Sequence, residues 1–254
     1  MIRGKTKSWI DVYVLNRLGV VEEGKPVYSG FTEKTHVSHE PLLPATGVDL
    51  IIGLDFGLTP SAAFCQRLPS GRWLILRELV AQDMGTIRFA EELRVTLQRY
   101  FPDHDYIIYG DPSGDFRAQT DESTPFDILR GAGIKAIPAP SNDPVIRVES
   151  VNSVLMRMVE GDPGFLLDGE NCSVLKTGFL GGYHYRRLQV TGERYEDRPN
   201  KNKFSHIHDA LQYAIIGAGE GRSIIRGNKP LQPFKAKRDF NVFGRMLKKV
   251  QAAR

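Results

Sequence analysis

The sequence predicts a mixed α/β domain: a central sheet whose first three strands are antiparallel, followed by βα crossovers, with helices on both faces. Three short apolar runs, at residues 49–55, 61–68 and 72–79, follow one another with tight turns, which is typical of an antiparallel meander. Segments with helical periodicity then alternate with further strand-like runs, which favours parallel strands joined by crossovers. The chain of 254 residues is long enough to bury a sizeable core around such a sheet.

The remaining elements are predicted from apolar spacing and from capping and breaking residues. A helix is expected from Thr86 onwards, with four apolar residues on one face: Ile87, Ala90, Leu93 and Leu97. Further along come a strand at 106–111, a short helix at 126–130, a strand at 134–137, a helix at 145–160, a strand at 165–168 and a last helix at 205–217.

Composition divides the chain into three parts. Residues 1–47 are predicted to be an arm or linker, residues 48–221 the compact domain, and residues 222–254 a basic tail. The tail holds ten lysines and arginines against one acid, Asp239, whereas the net charge of the whole chain is only +4. A basic tail favours a polyanionic partner, although a solvated terminal arm can have the same composition.

Several classes of protein are excluded by what the sequence lacks. Two cysteines, Cys65 and Cys172, cannot form a disulfide framework or a thiolate-rich zinc site, and they suit a reducing cytoplasm. No apolar run is long enough to span a membrane, and the start lacks the apolar stretch of a secretion signal. We therefore expect a protein that is not secreted and has no membrane partner. Residues 19–25 resemble a phosphate-binding loop, but Pro26 stands where the magnesium-binding hydroxyl belongs.

Three aspartates stand where a sheet of this kind places its ligands. Asp55 and Asp111 each end a predicted strand, and Asp209 lies in the first turn of the last helix. Ligands of open α/β sheets bind at the carboxyl ends of strands, so the three side chains can converge. Converging carboxylates repel one another unless a cation neutralises them, and their hard oxygens select Mg²⁺ or Mn²⁺. Two such ions, about 3.5–4 Å apart, can activate a water and stabilise the leaving oxygen of a phosphodiester.

The stretch before Asp209 adds further polar candidates. His206 lies three residues earlier on the same helical face, where it could bind metal or hold a carboxylate. A surface histidine near a helix start is the alternative interpretation. Lys201 and Lys203 could contact the scissile phosphate, although lysines in a polar loop are often merely solvated.

Sequence motifs surround each of these aspartates. They are Ile52-Gly53-Leu54-Asp55-Phe56-Gly57, Tyr109-Gly110-Asp111-Pro112-Ser113 and Ser205-His206-Ile207-His208-Asp209-Ala210-Leu211-Gln212-Tyr213. Together with the stretch Gly24-Lys25-Pro26-Val27-Tyr28, they resemble the nuclease domain of the large terminase subunit of tailed double-stranded DNA phages. The resemblance covers roughly residues 1–221.

The resemblance implies a ribonuclease-H-like fold and a metal-dependent endonuclease that cuts concatemeric double-stranded DNA during genome packaging. The three metal-binding acids of the family match Asp55, Asp111 and Asp209. His206 matches a histidine that binds metal in some relatives. Two divalent cations, Mg²⁺ or Mn²⁺, are the cofactors that this family implies.

The same resemblance implies partners and a location. DNA would be held through its backbone by the basic tail and by four basic residues of the 186–203 loop: Arg186, Arg187, Lys201 and Lys203. The small terminase subunit and the portal protein are the family's protein partners, and the host cytoplasm is where phage assembly takes place. The family's ATPase motor needs an intact Walker A motif, which this sequence lacks, so we expect a nuclease without the motor.

Three other functions fit part of the pattern. Residues 53–59 also resemble the phosphate-binding hairpin of sugar-kinase and actin-like ATPases, but the sequence contains no second hairpin of this kind. A Holliday-junction resolvase would share the same metal chemistry and would differ in its substrate. A DNA-binding assembly module that uses the tail alone would show no metal-dependent cleavage.

Overall fold

The computed structural model describes residues 24–57, 59–115, 123–188 and 194–221, and every structural statement below concerns those residues. The strands are β1 (Gly24–Pro26), β2 (Val37–Ser38), β3 (Leu50–Asp55), β4 (Ser61–Arg67), β5 (Trp73–Val80), β6 (Tyr106–Gly110), β7 (Ala136–Pro138), β8 (Met158–Val159), β9 (Asp162–Pro163), β10 (Phe165–Asp168) and β11 (His184–Arg186). The helices are α1 (Glu33–His36), α2 (Thr86–Tyr100), α3 (Pro125–Gly131), α4 (Pro144–Leu155), α5 (Ser173–Thr177) and α6 (Ser205–Gly217). The predicted basic tail at 222–254 lies outside the described residues, as do residues 1–23 of the predicted arm.

The central sheet has the mixed topology that the sequence predicts. Its strand order is β2-β10-β5-β4-β3-β6-β7. Strand β4 is antiparallel to both β3 and β5, and the other neighbouring strands of this sheet are parallel. The predicted meander is therefore β3-β4-β5. The crossovers that bring β6 and β7 into the sheet contain α2 and α3, respectively.

Apolar side chains are buried on both faces of this sheet. On one face, α4 and α6 contribute Val151 and Leu211 to a cluster that includes Ile75 of β5. On the other face, α2 contributes Phe89 and Leu93 to a cluster with the alternate residues of β3. Burial on both faces explains why β3 is a nearly continuous apolar run, and it supplies the main favourable contribution to folding.

Two helices differ from the sequence-based expectation. The predicted apolar face of α2 included Ile87, which is 66% exposed, whereas Phe89 is fully buried. Residues two apart cannot share a helical face, and the larger aromatic side chain occupies the core. Helix α4 ends at Leu155 instead of continuing to residue 160. The chain there turns into the β8–β9 hairpin, where Glu160 and Gly161 both have positive φ, at 55° and 88°.

Part of the segment predicted as an arm packs into the domain. Strand β1 pairs with β11, and β2 extends the central sheet beside β10. Tyr28 is buried, and its hydroxyl accepts a hydrogen bond of 2.9 Å from Nε2 of Gln212. Its ring also stacks on His208, with the centroids 5.7 Å apart. Residues 24–38 therefore contain a side chain that contacts α6 directly.

Helix α6 packs on β3 at very short range. A Cβ atom on Gly53 would lie 1.8 Å from the carbonyl oxygen of Ala210, so only glycine permits this approach. The helix begins at Ser205, whose hydroxyl donates to the carbonyl oxygen of Asn202 at 2.7 Å. These contacts fix the first turns of α6, and with them Asp209, against β3.

Candidate metal and nuclease site

The three predicted aspartates lie at one edge of the sheet, where its strands end. Asp55 is the last residue of β3, and Asp111 directly follows β6, the parallel neighbour of β3. The amide of Asp111 donates to the carbonyl oxygen of Leu54 at 3.0 Å, which holds the two strand ends together. Asp209 joins them from α6, which lies across β3 and β6.

Asp55 is bound to the predicted histidine. Nδ1 of His206 lies 2.9 Å from Oδ2 of Asp55, and only 6% of Asp55 is exposed. Burial raises the pKa of Asp55 to about 6, against the opposing effect of the His206 hydrogen bond, and the charge of Asp209 adds to the rise. The same hydrogen bond raises the pKa of His206. Through this hydrogen bond, His206 orients the Asp55 carboxylate.

Asp209 is bound by two cations. Nη1 of Arg147 donates to Oδ1 at 3.0 Å, and Nζ of Lys201 donates to Oδ2. Asp209 is 2% exposed and Arg147 is 5% exposed, so this ion pair is buried. The guanidinium also lies over the ring of Tyr213, with its carbon 4.7 Å from the ring centroid. Asp209 is thus a charged carboxylate held in place from α4 and from the loop before α6.

Tyr213 is buried beside the charged groups of the site, under the guanidinium of Arg147. Burial raises the pKa of Tyr213 above its usual value, and the guanidinium of Arg147 opposes that shift. Three carboxylates raise the pKa further through their negative charge: Asp111, Asp209 and Asp55. The contacts that relate the three residues are the Asp111 amide on Leu54, next to Asp55, and the contact of Asp55 with His206, which lies three residues before Asp209 on α6.

The carboxylates of the described residues are suitable ligands for divalent cations, but they do not form a complete coordination shell. Within the described part of the chain, no group of three His, Cys, Asp or Glu side chains is arranged to hold a metal ion. Asp209 faces Arg147 and Lys201, while Asp55 faces His206. Asp111 is half-buried, and its Oδ1 accepts a hydrogen bond from the amide of Ser113 at 2.8 Å. Clustered carboxylate oxygens remain the ligand type that Mg²⁺ and Mn²⁺ prefer.

The four predicted DNA-binding residues lie in two segments. Lys201 and Lys203 belong to the loop before α6, and Arg186 and Arg187 lie at the end of β11. Lys201 contacts Asp209, whereas Nζ of Lys203 lies 5.1 Å from the centroid of the Phe204 ring. Arg186 ends β11 and is exposed, as is Arg187, which forms an isolated β-bridge with Tyr195. Their exposure leaves these side chains accessible to a phosphate backbone.

Arg147 was missed by the sequence analysis, although a signal for it was present. It precedes Val151 and Leu155 at helical spacing, so a charged residue stands on the apolar face of a predicted helix. A charge on such a face needs a buried partner of opposite sign. The partner is Asp209, and it lies 62 residues further along the chain.

Comparison with solved structures finds the same fold in large terminases. The large terminase from a thermophilic bacteriophage superposes with a TM-score of 0.57 at 22% sequence identity, over 83% of this chain and 49% of that chain. The P22 large terminase nuclease domain gives a TM-score of 0.57 at 13% identity, over 78% of this chain and 96% of that chain. This chain therefore shares the fold of the P22 large terminase nuclease domain, and the mixed α/β architecture expected from the sequence is confirmed.

Other comparisons define the extent of this similarity. This chain spans about half the length of the thermophilic phage terminase that it matches. No family model and no curated protein sequence matches it. None of the described helices is long and apolar enough to cross a membrane.

Proposed function

We propose that this chain is a metal-dependent DNA endonuclease of the large terminase type, which cuts concatemeric double-stranded DNA during genome packaging. The observation that supports this most is the placement of Asp55 and Asp111 at neighbouring strand ends, with Asp209 three residues after His206, which contacts Asp55, in a fold shared with a terminase nuclease domain. In the related fold, carboxylates at strand ends are the natural ligands of catalytic cations.

In this proposal the three aspartates hold two divalent cations, Mg²⁺ or Mn²⁺. When bound, such ions lower the pKa of a bound water and stabilise the charge that develops on a phosphodiester. His206 keeps the Asp55 carboxylate oriented, and the buried Arg147 does the same for Asp209. Asp111 is the most accessible of the three and completes the set from the neighbouring strand end.

DNA binding is assigned to the basic side chains around the site. Lys201, Lys203, Arg186 and Arg187 are exposed and can contact phosphates without reading base edges. Each phosphate contact releases counterions, so the affinity for DNA should fall steeply as salt increases. Proteins with this role act in the host cytoplasm with the small terminase subunit and the portal protein, and we propose the same setting for this chain.

The test is cleavage of plasmid DNA with and without Mn²⁺. Wild-type protein should cleave with Mn²⁺ and stop when EDTA removes it. Asp111→Asn should lose at least about 100-fold in rate, because one of the clustered carboxylates is gone. Asp103→Asn is the matched control, since Asp103 is exposed in the loop before β6, at the opposite end of that strand from Asp111.

Three outcomes would contradict the proposal. Equal cleavage by wild type and Asp111→Asn would remove the aspartates from the reaction. Absence of cleavage with Mn²⁺, together with DNA binding, would favour a non-enzymatic assembly module. Preferential cutting of a four-way junction over linear duplex would instead indicate the resolvase alternative, which uses the same chemistry.

A further inference from the structure

The two basic side chains that contact Asp209 differ in how firmly they are held. Arg147 is buried together with its carboxylate partner, whereas 70% of the Lys201 side chain is exposed. Arg147 donates to Oδ1 and Lys201 donates to Oδ2, so each cation occupies one oxygen. The same carboxylate therefore has one partner that cannot leave easily and one that can.

Arg147 is fixed by more than the ion pair. It is carried by α4, a helix packed against α6, and its guanidinium lies over the Tyr213 ring at 4.7 Å. Moving Arg147 away would leave its buried guanidinium without a carboxylate and Asp209 with only the exposed Lys201, which is a costly change in a protein interior. We conclude that Arg147 stays on Asp209 throughout.

Lys201 has no comparable support. It belongs to the polar loop before α6, and its long side chain ends in solvent-accessible space. An exposed lysine gains rotamer freedom and hydration when it releases a carboxylate, so its departure costs little. Lys201 is also close enough to act electrostatically on Asp55 and His206, which places its charge within the site.

We propose that Lys201 is an internal competitor for the divalent cation: it neutralises Asp209 in the metal-free protein and releases Oδ2 when a cation binds, while Arg147 keeps Oδ1. This inference rests on the proposed function, since it assumes that Asp209 is a metal ligand. In the described structure, one of the Asp209 oxygens is taken by the Lys201 ammonium group. It also predicts that metal binding frees the Lys201 ammonium beside the site, where it can donate a hydrogen bond to a DNA phosphate.

The test is Mn²⁺ affinity, measured by isothermal titration calorimetry without DNA. Lys201→Gln removes the competitor and one positive charge from the site, so it should bind Mn²⁺ about tenfold more tightly than wild type. Lys201→Arg keeps a cation that can contact Asp209 and should bind like wild type. Lys203→Gln is the matched control. It removes the same charge two residues after Lys201, and the Lys203 side chain lies over Phe204.

Thermal unfolding provides a second readout that does not depend on cleavage. A bound ion stabilises the folded state to a degree set by its affinity, so saturating Mn²⁺ should raise the Tm of Lys201→Gln more than that of wild type or Lys203→Gln. Lys201 is exposed, and Arg147 still pairs with Asp209 in the variant, so the variant should fold.

The outcomes separate this inference from the proposed function. If wild type cleaves DNA with Mn²⁺ but Lys201→Gln binds Mn²⁺ no more tightly than wild type, the competitor role is wrong and the nuclease assignment stands. An equal gain in Lys201→Gln and Lys203→Gln would also overturn it, since it would reflect net charge alone. If no variant binds Mn²⁺ and wild type does not cleave, both proposals fail together.

Discussion

Nδ1 of His206 lies 2.9 Å from Oδ2 of Asp55, although 151 residues separate the two along the chain. The contact joins the end of β3 to the first turn of α6. It brings together two residues that the sequence motifs had singled out independently. Its strength depends on pH, because burial raises the pKa of Asp55 to about 6 and the hydrogen bond to Asp55 raises the pKa of His206.

The raised pKa of Asp55 predicts a stability that falls as pH rises. Its usual value is 3.8 and burial raises it to about 6, so between these values the folded state holds a proton that the unfolded chain has released. The raised pKa of His206 acts in the same direction, since protonated His206 is favoured in the folded state. In the metal-free wild type, these two groups should therefore contribute more to the free energy of unfolding at pH 4.5 than at pH 7.5.

The variant that tests this is Asp55→Asn. It should raise the free energy of unfolding at pH 7.5 without metal by about 1–3 kcal/mol, because a buried charge is removed, and it should abolish cleavage. Urea unfolding at both pH values measures the change, with Asp103→Asn as the exposed control. A variant less stable than wild type at pH 7.5 would show that the ionised Asp55 stabilises the fold.

The buried Arg147–Asp209 pair predicts strong coupling between two substitutions. Arg147→Met alone leaves Asp209 with only the exposed Lys201 and should cost about 3–5 kcal/mol of unfolding free energy. In an Asp209→Asn background, the same substitution should cost at least about 2 kcal/mol less, since no unpaired buried carboxylate remains. Urea unfolding of the four proteins gives the cycle, and Arg88→Met on the exposed side of α2 is the control. Additive effects would mean that the ion pair contributes nothing of its own.

The short distance between α6 and β3 predicts that Gly53 cannot be replaced. Gly53→Ala places a methyl group where the Ala210 carbonyl oxygen lies, so α6 must shift, at a cost of about 2–4 kcal/mol. The shift also moves Asp209, so Mn²⁺ affinity should fall with stability. Gly131→Ala, where an added Cβ meets no atom within 4 Å, should leave both unchanged. If Gly53→Ala is as stable as wild type and binds Mn²⁺ with the same affinity, the helix can move without consequence.

The positions of the aspartates could be predicted because each stands next to a feature that is local in sequence. Asp55 and Asp111 follow apolar runs, and runs of this kind end at a sheet edge. The role of Arg147 could not be derived in the same way, since it depends on how α4 and α6 pack together. Helical spacing alone also could not decide between Ile87 and Phe89 for the core, because the choice depends on the cavity that the sheet presents.

The contact between Lys201 and Asp209 could not be predicted from the sequence either. The sequence does not indicate whether a lysine in a polar loop faces solvent, DNA or a carboxylate eight residues later. Only the tertiary structure shows that the ammonium lies on Oδ2, and under our proposal Lys201 leaves this oxygen before it contacts a phosphate.

The position of α6 has a consequence for the timing of synthesis. Asp209 is carried by the last of the described elements, yet its site is completed by Asp55 on β3, more than a hundred residues earlier. A ribosome adds about 5–20 residues per second, so the sheet is complete for several seconds before this helix leaves the exit tunnel. An unfinished chain thus carries Asp55 and Asp111 without Asp209, so under the proposed function a nascent molecule should cut no nucleic acid until that helix docks.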